Sequence, residues 1–257
     1  MTKIGTVSSI VRYPVKSMAG EIIKSAFVGF AGLFGDRIYA FVQPQRRAGF
    51  PWFTIRELED LVRYKARFVA PAAAEAPVEM QTSLALGVGV TSLYPTENAL
   101  DVEVEAPTGI RYAIRAPELK VHLETETDRK IELRYSERSQ CDCRPISIFA
   151  NATVSALGGE IGMPLDPRRF RASFYVDWDC GEPYFENSLV GRIIRIGERC
   201  RVMLTERDPR CKIVTIDPDT GDESPKILRH ISSAHQGTAG VYGAVLLEGV
   251  VRAGDPI

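Results

Sequence analysis

The chain has 257 residues, of which 45% are hydrophobic, enough to bury one large core or two smaller ones. Its 32 basic and 33 acidic residues nearly cancel, which excludes a protein whose main task is to neutralise nucleic-acid phosphates or to coat an anionic membrane. The N-terminus shows no apolar signal segment and no stretch is long enough to span a bilayer, so a cytoplasmic protein with reduced thiols is expected from its five irregularly spaced cysteines.

In chain order, Ile4 to Val11 reads as a strand that Tyr13-Pro14 ends, because proline brings no backbone donor to a ladder. Glu21 to Phe30 is a second apolar run. Ile38 to Val42 alternates as a half-buried strand after the turn Phe34-Gly35-Asp36. Thr54 and Glu57 have the spacing of a capping box, and Leu58, Leu61 and Val62 follow at helical spacing, which predicts a short helix. Residues 70–96 read as a long surface connection, from their alanine, proline and glycine content.

Leu100 to Val104 and Ile110 to Ile114 alternate in phase about Ala106-Pro107-Thr108-Gly109, a hairpin signal. The next predicted element is a strand at Lys130 to Tyr135, with no helix expected between. Asn151 to Leu157 is predicted to be a helix ended by Gly158-Gly159. Further strands are expected at Phe174 to Val176, Gly191 to Ile196, Arg201 to Leu204 and Lys212 to Ile216, and a turn at Asp217 to Gly221. His122 is expected in or near a strand, and His230 and His235 in a polar loop. The fold class is mainly β: two antiparallel β-barrel-like domains with a few short helices, at 1–115 and 118–257.

The chemistry centres on Cys211, which follows Arg210; a thiolate beside a cation suits a soft metal or a nucleophilic role, whereas a free cysteine read without context is a small buried hydrophobe. Cys141-Asp142-Cys143 is too tight for a zinc knuckle and lacks a second pair. Lys16 and Ser17 sit on the loop that leaves the first strand, either as a phosphate or pterin contact or as a solvated turn. Arg37, Arg56 and Arg171 add guanidinium groups whose planar fork suits anions.

Together, Tyr13-Pro14-Val15-Lys16-Ser17, Gly32 to Arg37, Thr54-Ile55-Arg56, Phe170-Arg171 and Arg210-Cys211 running into Thr215 to Gly221 resemble the MOSC superfamily, in its branch with an N-terminal β-barrel domain before the MOSC domain. The resemblance is to the mitochondrial amidoxime-reducing component and to bacterial N-hydroxylaminopurine reductases. It implies molybdenum cofactor (molybdopterin), Cys211 as the protein's thiolate ligand to molybdenum, and Lys16, Ser17, Arg37, Arg56, Arg171, Ser173 and Arg210 around the pterin and its phosphate. It also carries a family-level association with pyridoxal phosphate.

Ser173 stands where close relatives have asparagine, and Asp208 where many have a further cysteine; an acid three residues from the sulfur is expected either to raise the pKa of the thiol or to repel an anionic cofactor. The implied activity is reduction of N-hydroxylated small molecules. Electrons would come from a separate flavin, haem or iron-sulfur reductase, since the sequence has no CxxCH, no clustered iron-sulfur cysteines and no dinucleotide-binding glycine motif. The alternative is a non-redox carrier of the cofactor, or of sulfur as a cysteine persulfide.

Overall fold

The computed structural model describes residues 2–46, 49–81, 85 and 99–257. Strands dominate it. The first, β1 (Gly5–Arg12), ends at the predicted proline, and the second apolar run divides into β2 (Glu21–Ile23) and β3 (Ser25–Gly29), which join different sheets. They are followed by β4 (Gly32–Leu33), β5 (Tyr39–Val42), β6 (Lys65–Phe68), β7 (Val102–Glu105) and β8 (Arg111–Ala113). The β7–β8 hairpin forms as expected: Val104 faces Tyr112, the Gly109 amide donates to Ala106 O at 2.8 Å, and Gly109 takes a φ of 84° that its lack of a Cβ permits.

Helix α1 (Pro117–Thr127) occupies the interval in which no helix was expected, and His122 lies on it rather than on a strand. Proline at its first position has no amide of its own to leave unsatisfied, and Leu119 and Leu123, one turn apart, bury the same face. After β9 (Glu132–Tyr135) and β10 (Ile146–Ala150) comes α2 (Asn151–Ile161), which runs past Gly158 and Gly159 and stops at Gly162 with φ 71°. Gly158 lies inside the helix, where a Cβ would meet Met163 O at 2.9 Å, so it serves close packing and not termination.

The remaining elements are β11 (Phe174–Trp178), α3 (Phe185–Ser188), β12 (Ile193–Ile196), β13 (Cys200–Pro209), α4 (Pro225–Ala234), β14 (Thr238–Leu247) and β15 (Gly249–Arg252). His230 is therefore helical and His235 caps that helix. Lys212–Thr215 is a 3-10 turn, not the predicted strand: Val214 and Ile216 turn into different apolar clusters, which an extended segment with alternating faces would not reach in this way. The turn after it forms, with the Gly221 amide donating to Asp217 O and Ile216 bridging Glu223.

The Thr54–Glu57 box also forms, since the Thr54 amide donates to Glu57 Oε2 at 2.8 Å, but it closes a turn, and the 3-10 helix Glu59–Arg63 begins after Leu58. In the connection read at 70–96, Pro71–Ala74 make one 3-10 turn, while 82–84 and 86–96 lie outside the described residues.

The principal sheet has the order β12-β13-β14-β10-β11-β1-β2, antiparallel except for the β10–β11 pair, whose crossover contains α2. Strand β1 pairs with β11 from Gly5–Trp178 to Ile10–Phe174, and β15 pairs with β3, so both ends of the chain are tied into the sheets of the other half. Among the described residues no helix is long and apolar enough to cross a membrane.

One buried cation fastens this junction. Arg12, 1% exposed, pairs with Glu21 at 2.7 Å, donates to Phe34 O and Ala74 O, and lies 4.5 Å from the centre of the Phe68 ring. Arg12→Met would leave those acceptors buried without a donor, and chemical denaturation should show a loss of about 3 kcal/mol. A loss below about 1 kcal/mol would mean that the guanidinium does not hold these segments together.

Candidate functional site

Pairing of β1 with β11 sets the loop after β1 beside the loop before β11, and the end of β13 arrives from the other side. Between them lies a cleft. All the residues marked by the sequence line it: Lys16, Ser17, Arg37, Arg56, Arg171, Ser173, Arg210 and Cys211. Cys211 is exposed and offers its thiol to the cleft.

Backbone conformation marks the same place. Among the described residues seven non-glycine positions have positive φ, and three of them, Ser17 (67°), Arg37 (49°) and Arg171 (53°), line this cleft. Each such position costs on the order of 1–3 kcal/mol and persists where surrounding structure requires it.

The cations differ in how their charge is spent. Lys16 donates to Asp142 at 2.6 Å and to Gln140 O at 2.7 Å, 5.0 Å from the centre of the Trp52 ring. Burial pulls its pKa down, and Asp142 only partly opposes this. Arg37 pairs with Asp36, donates to Arg171 O at 3.2 Å, and stacks on Tyr13.

Arg171 also stacks on Tyr13, at 4.1 Å, but among the described residues no carboxylate pairs with it and its buried Nη2 has no hydrogen-bond partner. Desolvation lowers its pKa to about 10, with neighbouring Arg37 adding to the effect. Arg56 is exposed and stacks on Phe50 at 4.6 Å.

Arg210 and Asp208 correct the expectation of a carboxylate repelling an anion beside the sulfur. The two groups face each other at 2.7 Å, and Ser147 donates to the same carboxylate oxygen at 2.8 Å. Arg210 Nε donates to Ala239 O and Nη1 to Phe170 O, both at 2.7 Å. Its guanidinium thus neutralises Asp208 and links strands; none of its hydrogen bonds goes to Cys211.

Gly240 makes room for this arrangement. It has φ 74°, and a Cβ there would stand 2.6 Å from Phe149 Cδ2 and 3.1 Å from Arg210 Nη2. Ser173 is buried and its hydroxyl accepts from the Ser147 amide at 3.2 Å, so it braces the wall of the cleft.

Sequence reasoning missed Tyr13 as the platform for two guanidinium groups, and it missed Cys141, which was weighed only for zinc but lines the cleft with Cys211. Burial pushes the Cys141 thiol up. Cys141 stands among cleft residues only through contacts over more than a hundred positions, such as Lys16 with Gln140, for which one sequence has no signal.

Comparison with known proteins agrees with the architecture. A family model described as the MOSC N-terminal beta barrel domain matches residues 4–146, and one described as the MOSC domain matches residues 135–257. The chain belongs to the MOSC family.

Solved structures similar to this MOSC protein include YiiM from Geobacillus stearothermophilus, 19% identical with a TM-score of 0.35, over 44% of this chain and 52% of that one. Another is the YUAD protein from Bacillus subtilis, 13% identical with a TM-score of 0.46, over 98% and 93%. The chain thus spans about half the length of YiiM and nearly all of the YUAD protein. No protein of curated function matches.

The Asp208–Arg210 pair has a testable pH signature. Burial raises the Asp208 carboxyl above its usual 3.8, and the attraction of Arg210 does not fully offset this. Between the two values the folded chain holds a proton that the unfolded chain has lost, so Asp208 adds stability as pH falls through its raised pKa. Urea denaturation from pH 7 downward should show wild type gaining on Asp208→Asn across that window and levelling off below it. A constant difference would show that the carboxyl is not shifted upward.

Proposed function

We propose that this MOSC protein binds molybdenum cofactor in the cleft and reduces N-hydroxylated or related small molecules, with Cys211 as the thiolate ligand. One observation carries the reading: an exposed soft thiol shares a cleft with several cations, one of which, Arg171, has a buried donor and no carboxylate. The donor set fits the group, since molybdenum favours sulfur and a pterin phosphate supplies the negative charge that Arg171 lacks.

In this reading Cys211 ligates, Arg171 and Arg56 meet the anionic portion, and Arg37 holds Arg171 and Tyr13 in position. Ser17, on its strained turn, lines the same space. Lys16, restrained by Asp142, contributes to the local potential more than it contributes a free donor. Ser173 and the Arg210–Asp208 pair fix the wall that carries Cys211.

When bound, the cofactor would supply the two-electron oxygen-transfer chemistry that side chains do not. Conversion of an N-hydroxyl compound to its amine and water consumes two electrons and two protons. A separate flavin, haem or iron-sulfur reductase is the proposed electron source. The exposure of Cys211 also favours a second reading, a carrier that passes the cofactor or persulfide sulfur to another protein.

Protein from a host that makes the cofactor should contain about one molybdenum per chain and reduce an N-hydroxylated test compound with a chemical donor. Cys211→Ser should abolish turnover. Bound molybdenum without turnover by any donor would favour the carrier, and absence of both molybdenum and sulfane sulfur would contradict both readings. Arg171→Gln should lose most of the cofactor while the apo-protein melts no lower than wild type, because a buried charge has been removed. Equal metal content in that variant would remove Arg171 from the site.

A further inference from the structure

We propose that Glu160, His230 and His235 form a separate binding site for a divalent transition-metal ion of the zinc class. Glu160 lies in the last turn of α2, His230 on α4, and His235 at the cap of α4. Both imidazoles direct Nε2 at one atom: His230 stands 2.7 Å and His235 2.6 Å from Glu160 Oε2. One donor atom from each residue lies within 4.8 Å of the others.

Two imidazole nitrogens and a carboxylate oxygen are a set that zinc accepts. Ligands about 2.0–2.2 Å from a tetrahedral ion stand roughly 3.4 Å apart, so admitting one requires these contacts to open by only about 1 Å. Partial exposure of all three side chains leaves a further position open to water or to an outside ligand.

A fourth residue orients the set. Tyr184 donates its hydroxyl to the other Glu160 oxygen at 2.6 Å, and its ring stacks on His235 with centroids 4.6 Å apart. Its own amide is tied to Thr153 Oγ1 at 2.8 Å. This outer contact fixes the carboxylate and one imidazole together, as partners behind metal ligands do.

An ion here would staple α2 to α4. Helix α4 packs on the 3-10 turn that follows Cys211, and the Arg210 amide donates to Gly237 O just beyond His235. The site would therefore brace the segment carrying the thiol from outside the cleft. Its existence does not depend on the cofactor reading.

The test uses untagged full-length protein, zinc chloride in titration calorimetry and cobalt chloride as the spectroscopic probe. We expect one zinc per chain, a rise in melting temperature with zinc, and affinity lowered about 100-fold or more in His230→Ala, His235→Ala and Glu160→Gln, with about 10-fold in Tyr184→Phe. Cobalt should give ligand-field bands without a thiolate charge-transfer band. No zinc binding, binding unchanged in the ligand variants, or a thiolate band would overturn the proposal. Should a histidine variant fail to fold, Glu160→Gln and the cobalt spectrum of wild type still decide.

Discussion

A guanidinium held in a low-dielectric wall without a carboxylate raises the free energy of a fold, and Arg171 is such a group. Its Nη2 is buried without a partner, its backbone is left-handed, and its charged neighbours include another guanidinium, Arg37. The Tyr13 ring beneath both offsets part of that cost, by on the order of 1 kcal/mol for each cation–π contact. Nearby Lys16, Arg37 and Arg210 each have a carboxylate, in Asp142, Asp36 and Asp208. An anionic ligand would supply the partner that Arg171 lacks among the described residues, and Cys211 stands in the same cleft with a donor suited to a soft metal.

The topology delivers these groups to one place. Because β1 sits beside β11 in the principal sheet, the strand that ends at Pro14 releases Lys16 and Ser17 close to where Arg171 and Ser173 enter β11. Strand β13 then brings Asp208 and Arg210 to the same edge, and Gly240 on β14 lets Arg210 pass. The cleft is consequently built at the ends of paired strands braced by Arg12 and by the Ser147–Ser173 contact, a rigid setting for residues that must converge.

What could be read from the sequence follows from how local each cause is. The stop at Pro14, the hairpin with Gly109 and the Thr54–Glu57 box depend on a few adjacent residues, and all three formed. The MOSC architecture was legible from motifs in order along the chain, as were the residues that line the cleft. Helices α1 and α4 were missed although each opens with proline and repeats an apolar residue one turn later, Leu119 with Leu123 and Ile227 with Ile231; their polar remainder hid this pattern. Lys212 to Ile216 misled in the other direction, since its β-branched composition suggested a strand and packing against two clusters imposed a 3-10 turn. The neutralisation of Asp208 by Arg210 needed only the period of two along an extended chain, whereas the placing of Cys141 and Tyr13 needed tertiary contacts that no local pattern encodes.

The most direct test of the central claim is molybdenum K-edge X-ray absorption on protein produced in a cofactor-competent host. Wild type should show a sulfur scatterer beyond those the cofactor itself brings, absent in Cys211→Ser. An identical sulfur shell in wild type and variant, or a molybdenum edge that is missing altogether, would contradict it.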